Sequence, residues 1–196
     1  TRKESSAASD VYKRQTVVLG GDNHKLIYNV NTGGNQSAST AELSFSAGAI
    51  TKTADGQTIT FTVANAAGQS IEHVYNIKNN NYLIEWSMQL KGADKLLTQG
   101  ILNINWDITA KQQEKDLKYE KGQSNIAFVE EDEYDFEAAG TGDTKKFGDK
   151  TKWIGIKQQF FNTSVIAANN FASAEATWKV PEEKDDSLQK VMDVNT

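Results

Sequence analysis

The chain is 196 residues long, contains no cysteine, and sets 26 acidic against 21 basic residues, a formal net charge of −5. The acidic balance argues against nucleic acid or anionic lipid headgroups as partners. The missing thiols exclude disulfides, cysteine-based zinc sites and a thiol nucleophile, and no window approaches the ~18 consecutive apolar residues of a membrane-spanning helix.

Ser5 to Gln15 reads SSAASDVYKRQ. That is the one-frame translation of a widely used sequencing-transposon adapter, so residues 1–15 are set aside as a non-native tail. Residues 16–196 are then expected to be an internal piece of a larger protein, with 17 basic and 24 acidic residues. This is enough chain for one domain with a real core.

The periodicity along it is that of strands. Leu26–Val30, Glu42–Phe45 and Thr58–Val63 are short candidates. Gly20-Gly21 and Gly33-Gly34 read only as turns, and Asp55-Gly56 signals a hairpin. Ile71, His73, Tyr75 and Ile77 alternate with Glu72, Val74 and Asn76. After the turn Lys78–Asn81, Tyr82, Ile84, Trp86, Met88 and Leu90 alternate with more polar residues, and Leu102, Ile104, Trp106 and Ile108 do the same. One apolar and one polar face per strand is the pattern of antiparallel sheets with one wet side. Gln112–Lys121 alone reads as a helix, short and highly charged. Ser124–Val129, Trp153–Phe160, Thr163–Ala168 and Glu175–Lys179 complete the strands. Glu130–Gly148 reads as an acidic surface loop, and Pro181–Asp186 as a linker or edge that ends the preceding strand. The fold class expected is all-β and mainly antiparallel, a sandwich or barrel with one short helix.

Few residues offer chemistry. The acidic run Glu130–Glu137 (EEDEYDFE) lacks the ligand spacing of a calcium loop, and a solvated loop accounts for it better. An epimerase or mutarotase needs an acid and a base at one cleft. Of the two histidines, His24 sits in a loop-like GGDNHK, whereas His73 lies on the apolar side of a strand, as a hydrogen-bonded, partly buried residue would. Trp86 and Trp106 lie on regular apolar faces and read as core. Trp153 and Trp178 are the remaining candidates for a sugar-stacking platform. No catalytic, cofactor-binding or metal residue is assigned, and no cofactor is expected.

The stretch Trp153–Phe161, WIGIKQQFF, breaks simple alternation. Ile154, Ile156, Gln158 and Phe160 would share one face of a central strand with both faces covered, which places Ile156 and Phe160 in the core. Apart from Lys157 it holds no titratable acid or base.

Three segments in this order resemble the large periplasmic domain of YidC-type membrane protein insertases of Bacteroidetes-like bacteria. They are SIEHVYNIKNNNYLIEWSMQL (70–90), LNINWDITAKQQEKDLKYE (102–120) and GDTKKFGDKTKWIGIKQQFFNTSVIAANNF (142–171). The most specific pieces are Trp106 followed by Gln113, Glu114 and Lys115, and the signature strand with Trp153, Lys157, Gln158, Gln159, Phe160 and Phe161. The resemblance covers residues 16–196, more weakly before Ser70. It implies a twisted β-supersandwich, related to sugar mutarotases and without catalysis. It also implies an inner-membrane protein whose domain faces the periplasm, with membrane contact through helices outside this chain. The implied partners are Sec translocon subunits and nascent membrane proteins, and the signature residues would be structural. A carbohydrate-binding or mutarotase-like periplasmic sandwich is the alternative.

Overall fold

The computed structural model describes residues 24–112, 116–179 and 188–195, with backbone alone at 111, 117 and 188–195. The adapter-like tail, Gln113–Lys115 and the Pro181–Asp186 linker lie outside the described residues. The expected all-β, antiparallel, sandwich-like fold is found. It forms two compact units, residues 1–26 with 105–196, and residues 27–104.

In the 27–104 unit, β1 (Lys25–Gly33) and β2 (Gln36–Ser39) form a hairpin. Its turn uses Gly34 and Asn35, with φ of 60° and 59°, a left-handed conformation that these two residue types tolerate. After β3 (Ser46–Ala47) and β4 (Thr51–Lys52) come β5 (Gly56–Ala64), β6 (Ser70–Lys78) and β7 (Ile84–Lys91). They form an antiparallel meander with β6 in the middle. The Asp55-Gly56 and Lys78–Asn81 turns fall where the sequence puts them. Tyr82 does not join β7: Asn81 Oδ1 accepts from Leu83 N–H at 2.9 Å, which holds a local turn, and Tyr82 is left exposed. Glu42–Phe45 is not a strand either. Ser39 caps a 3₁₀ turn at Thr40–Glu42 through its side chain. The buried Thr40 hydroxyl accepts from Tyr28 N–H at 3.1 Å. Tyr28, Val30, Ile71 and Leu96 form the core. Leu96 comes from a one-turn helix, Ala93–Leu96, that sequence periodicity is too short to reveal.

In the other unit, β9 (Asn125–Glu130), β10 (Glu133–Ala138), β12 (Thr151–Lys157) and β13 (Asn162–Phe171) form one sheet in the order β10-β9-β12-β13. A second run is β11 (Asp143–Phe147), β14 (Ala174–Lys179), β15 (Leu188–Asn195) and β8 (Ile104–Lys111). Its core draws on both sets: Ile126, Phe128, Ile154 and Ile156 from the first, Ile108, Phe147, Ala174, Ala176 and Trp178 from the second. Along β14, Ala174, Ala176 and Trp178 point inward and the residues between are more exposed, the period of two expected of a strand with one covered face. Trp178 is therefore core, its indole donating to Thr141 O at 2.8 Å.

Three sequence expectations are corrected here. The acidic stretch 130–148 is not a loop but strands β10 and β11. Glu131 and Asp132 take φ of 53° and 64° and close a two-residue hairpin between Glu130 and Glu133, a turn whose usual Asn-Gly signal is absent. The helix is Leu117–Gly122, later than expected, because Asp116 caps it by accepting from Tyr119 N–H at 2.9 Å. The signature strand ends at Lys157. Gln158 N–H donates to Phe161 O at 2.7 Å, turning the chain, and this leaves Phe160 67% exposed while Ile156 is 2% exposed. The burial of Phe160 is thus contradicted and that of Ile156 upheld.

Gly155 sits between the two buried isoleucines, where β13 passes closely. A β-carbon there would come within 2.6 Å of Thr163 O and would overlap the Ser164 side chain. We expect Gly155→Ala to destabilise the protein by about 1–3 kcal/mol through overpacking, read as a lowered midpoint in denaturant. Ile156→Ala should cost about 2–5 kcal/mol by opening a cavity. Phe160→Ala should stay within about 0.5 kcal/mol of the parent, as surface changes do.

Candidate functional site

The signature residues cluster around the end of β12, where strand, turn and helix meet. Gln158 is buried, and its amide donates to Glu120 Oε1 at 3.2 Å. Glu120 is itself 1% exposed on the Leu117–Gly122 helix, and its carbonyl accepts from Ser124 Oγ at 2.8 Å. Burying a carboxyl is costly unless hydrogen bonds meet it, so Gln158 does positional work: it ties the turn after β12 to the helix before β9. Gln159 and Phe161 are half-buried in the same turn. Trp106 packs, partly buried, on the core of this unit.

Trp153 and Lys157 face the other side of the sheet. The Trp153 ring lies 6.1 Å from Tyr134, and Tyr134 lies 6.4 Å from Phe136. Lys157 holds its ammonium 5.9 Å from the Tyr134 ring, within the range of a cation–π contact. Tyr134 and Phe136 are half-exposed. The sequence concealed this patch because two of its three rings lie in the acidic run read as a loop.

The acids of that run are mostly engaged. Glu130 accepts from Gly148 N–H at 2.7 Å, Glu137 pairs with Lys145 at 3.3 Å, and Glu131 pairs with Lys150 at 3.5 Å. Among the described residues no group of three His, Asp or Glu is placed to hold a metal ion.

Among the described residues neither histidine is hydrogen-bonded to a carboxylate. His24 Nε2 lies 2.9 Å from Thr109 O. His73, on β6, shares a hydrogen bond of 2.6 Å with the Tyr28 hydroxyl. Around His73 stand the rings of Tyr28, Phe45, Tyr75 and Trp86, with centroids 4.9–6.4 Å away. The hydrogen-bonded, partly buried histidine expected from the strand pattern is what the structure contains. Burial disfavours its charged form and holds its pKa below 6.5. The same burial raises the Tyr28 hydroxyl, with Tyr75 adding to the effect.

Sequence reasoning missed a groove in the 27–104 unit. Val30, Leu43, Val63, Ile71 and Leu96 form its apolar floor, with Asn65 and Gln69 at the rim, around a volume of 160 Å³. That is close to the ~150 Å³ of a cavity that takes up one benzene, so the groove is of a size for one apolar side chain. Its residues come from β1, β5, β6, the Ala93–Leu96 helix and the segment after the 3₁₀ turn, and no motif links them.

The family profile described as the YidC periplasmic domain matches residues 10–195. A membrane protein insertase YidC of Bacteroides fragilis is 28% identical over 116 residues, 58% of this chain and 19% of that protein. One from Azobacteroides pseudotrichonymphae is 30% identical over 108 residues, 54% of this chain and 18% of that protein. One from Parabacteroides distasonis is 23% identical over 178 residues, 88% of this chain and 28% of that protein. The chain therefore matches between 18% and 28% of the length of these relatives. No solved structure matches it.

The depressed His73 pKa has a sign. The unfolded chain takes up a proton near pH 6.5 and the folded chain does so only at lower pH. Stability is then full above about pH 6.5 and falls as pH drops from there through the folded pKa. Thermal melts from pH 8 to pH 5 should show a smaller loss in His73→Gln than in the parent. Equal losses would remove His73 from the account.

Proposed function

The chain belongs to the YidC periplasmic domain family, and on that premise we propose that residues 16–196 act as a non-enzymatic interaction domain of a membrane protein insertase. The observation that carries the proposal is the family match over residues 10–195, joined to relatives that are each named as membrane protein insertases. The whole protein would insert, fold and assemble inner-membrane proteins, alone or with Sec translocon subunits. This domain would face the periplasm, and its membrane contact would come through helices outside this chain. Among the described residues no helix is long and apolar enough to cross a membrane.

The chemistry supports this reading. The two histidines bond to a backbone carbonyl and to a tyrosine rather than to a carboxylate. A groove with an apolar floor suits a side chain of a membrane-protein segment held without a reaction. The signature residues Trp106, Trp153, Lys157, Gln158, Gln159 and Phe161 would serve the fold, chiefly through Gln158 and its link to Glu120, whereas the exposed Phe160 would add little to it. Gln113, Glu114 and Lys115 are proposed to share that role.

One observation favours a second reading, a carbohydrate-binding sandwich: Trp153, Tyr134 and Phe136 form a partly exposed aromatic patch on which a sugar could stack.

The test is a pull-down from detergent-solubilised membranes at low salt with the domain as bait, beside a titration against a panel of sugars. Recovery of translocon subunits, and no sugar binding at millimolar concentration, is the expected result. Millimolar or tighter sugar binding that Trp153→Ala abolishes, with no subunit recovered, would replace the proposal by the second reading.

A further inference from the structure

The sheet β10-β9-β12-β13 has two edges, and they are built differently. β10 carries Glu133, Asp135 and Glu137 along six residues. β13 reads NTSVIAANNF, ten residues without a charge, a proline or a glycine. Among the described residues β13 pairs with β12 alone, in a regular ladder over Asn162–Ile166, and no strand lies on its other side. An edge exposes a row of backbone donors and acceptors that recruits further strands, and proteins normally blunt it with charges or proline. The β10 edge is blunted in this way and the β13 edge is not.

The side chains lead to the same edge. Tyr134, Val129, Trp153 and Ile166 stand in register across the four strands. This apolar row ends at Ile166, which is 53% exposed. On the same face Asn162, Ser164 and Ile166 are the β13 positions, and the sole charge of the neighbouring β12 positions 153, 155 and 157 is Lys157.

We propose that β13 is a self-association edge, at which a second copy of this chain adds its own β13 antiparallel about a twofold axis. Charge selects this occupant. Two chains of net charge −5 repel, and at the β10 edge they would set carboxylate against carboxylate. At β13 the identical strand arrives with no charge, and an isologous contact satisfies both backbones at once. The incoming strand also brings its own Ile166 row to the end of the first. This inference is independent of the insertase reading.

Analytical ultracentrifugation of the full chain over a wide concentration range tests it. The expected result is a dimer that Ile166→Glu converts to a monomer that still unfolds cooperatively, while Phe136→Glu, near the opposite edge, leaves the dimer intact. A parent that stays monomeric throughout would overturn the proposal. So would a dimer that Phe136→Glu breaks and Ile166→Glu does not. Should Ile166→Glu fail to fold, the absence of native cysteine gives a second route. Single cysteines at each position from 162 to 166 include the residue that faces its own copy across any twofold axis within this ladder. Facing Cα atoms in an antiparallel pair are about 4.5–5.5 Å apart, within reach of a disulfide. At least one of the five variants should oxidise to a covalent dimer, and failure of all five would overturn the proposal.

Discussion

The constraint on which the 105–196 part of this protein depends is the tight fit of β12 between the core on its inner face and the strands on its two edges. On one face Ile154 and Ile156 lie 0% and 2% exposed in the core. On the edge it shares with β13, Gly155 lets that strand close in so tightly that not even a methyl group fits. β9 and β13 flank it in matched registers, with Ile154 opposite both Phe128 and Val165. A strand bonded on both edges with its inner face in a packed core tolerates little change in volume. Its end must also be fixed, and Gln158 does so by turning back to Phe161 and reaching Glu120 on the short helix. The unusual order of residues in WIGIKQQFF follows from these demands: isoleucines for the core, glycine for the close approach, glutamine for a buried carboxyl.

What the sequence made legible was set by how far each signal is local. Strands β5 to β9, β12 and β14 announce themselves by alternation, because each has one face on a core, and the Asp-Gly and Asn-rich turns between them carry their own chemistry. The acidic hairpin stayed hidden because Glu-Asp occupies turn positions that usually favour Asn and Gly, and because carboxylates so close in sequence suggest a loop. Only the register with β9 shows that Tyr134 and Phe136 share a face while Glu133, Asp135 and Glu137 take the other. Phe160 misled for the opposite reason. Extending the alternation of β12 by three residues assumes that the strand continues, and a single backbone bond from Gln158 to Phe161 ends it.

The candidate sites were legible to different degrees. The structural reading of His73 follows from its place between Ile71 and Tyr75 on a strand, while Tyr28 and Phe45 join Tyr75 and Trp86 around it from segments the alternation does not connect. The groove over Leu96 was out of reach, since its floor gathers residues from position 30 to position 96 that become neighbours only in three dimensions. Family membership was readable from a few segments, and those segments hold both buried residues such as Ile154 and Gln158 and exposed ones such as Phe160. The surface features they share in are not local in sequence: an apolar groove, an aromatic patch and an uncharged edge.

The central claim is that the signature segment is the structural centre of its unit. Native-state hydrogen exchange resolved by residue tests it most directly, because amides that open only on global unfolding are the slowest to exchange. The account predicts that Ile154, Gly155 and Ile156 are among the slowest in the protein, far slower than Tyr134–Phe136 on the edge strand. Exchange of the three at the rate of that exposed hairpin would contradict it.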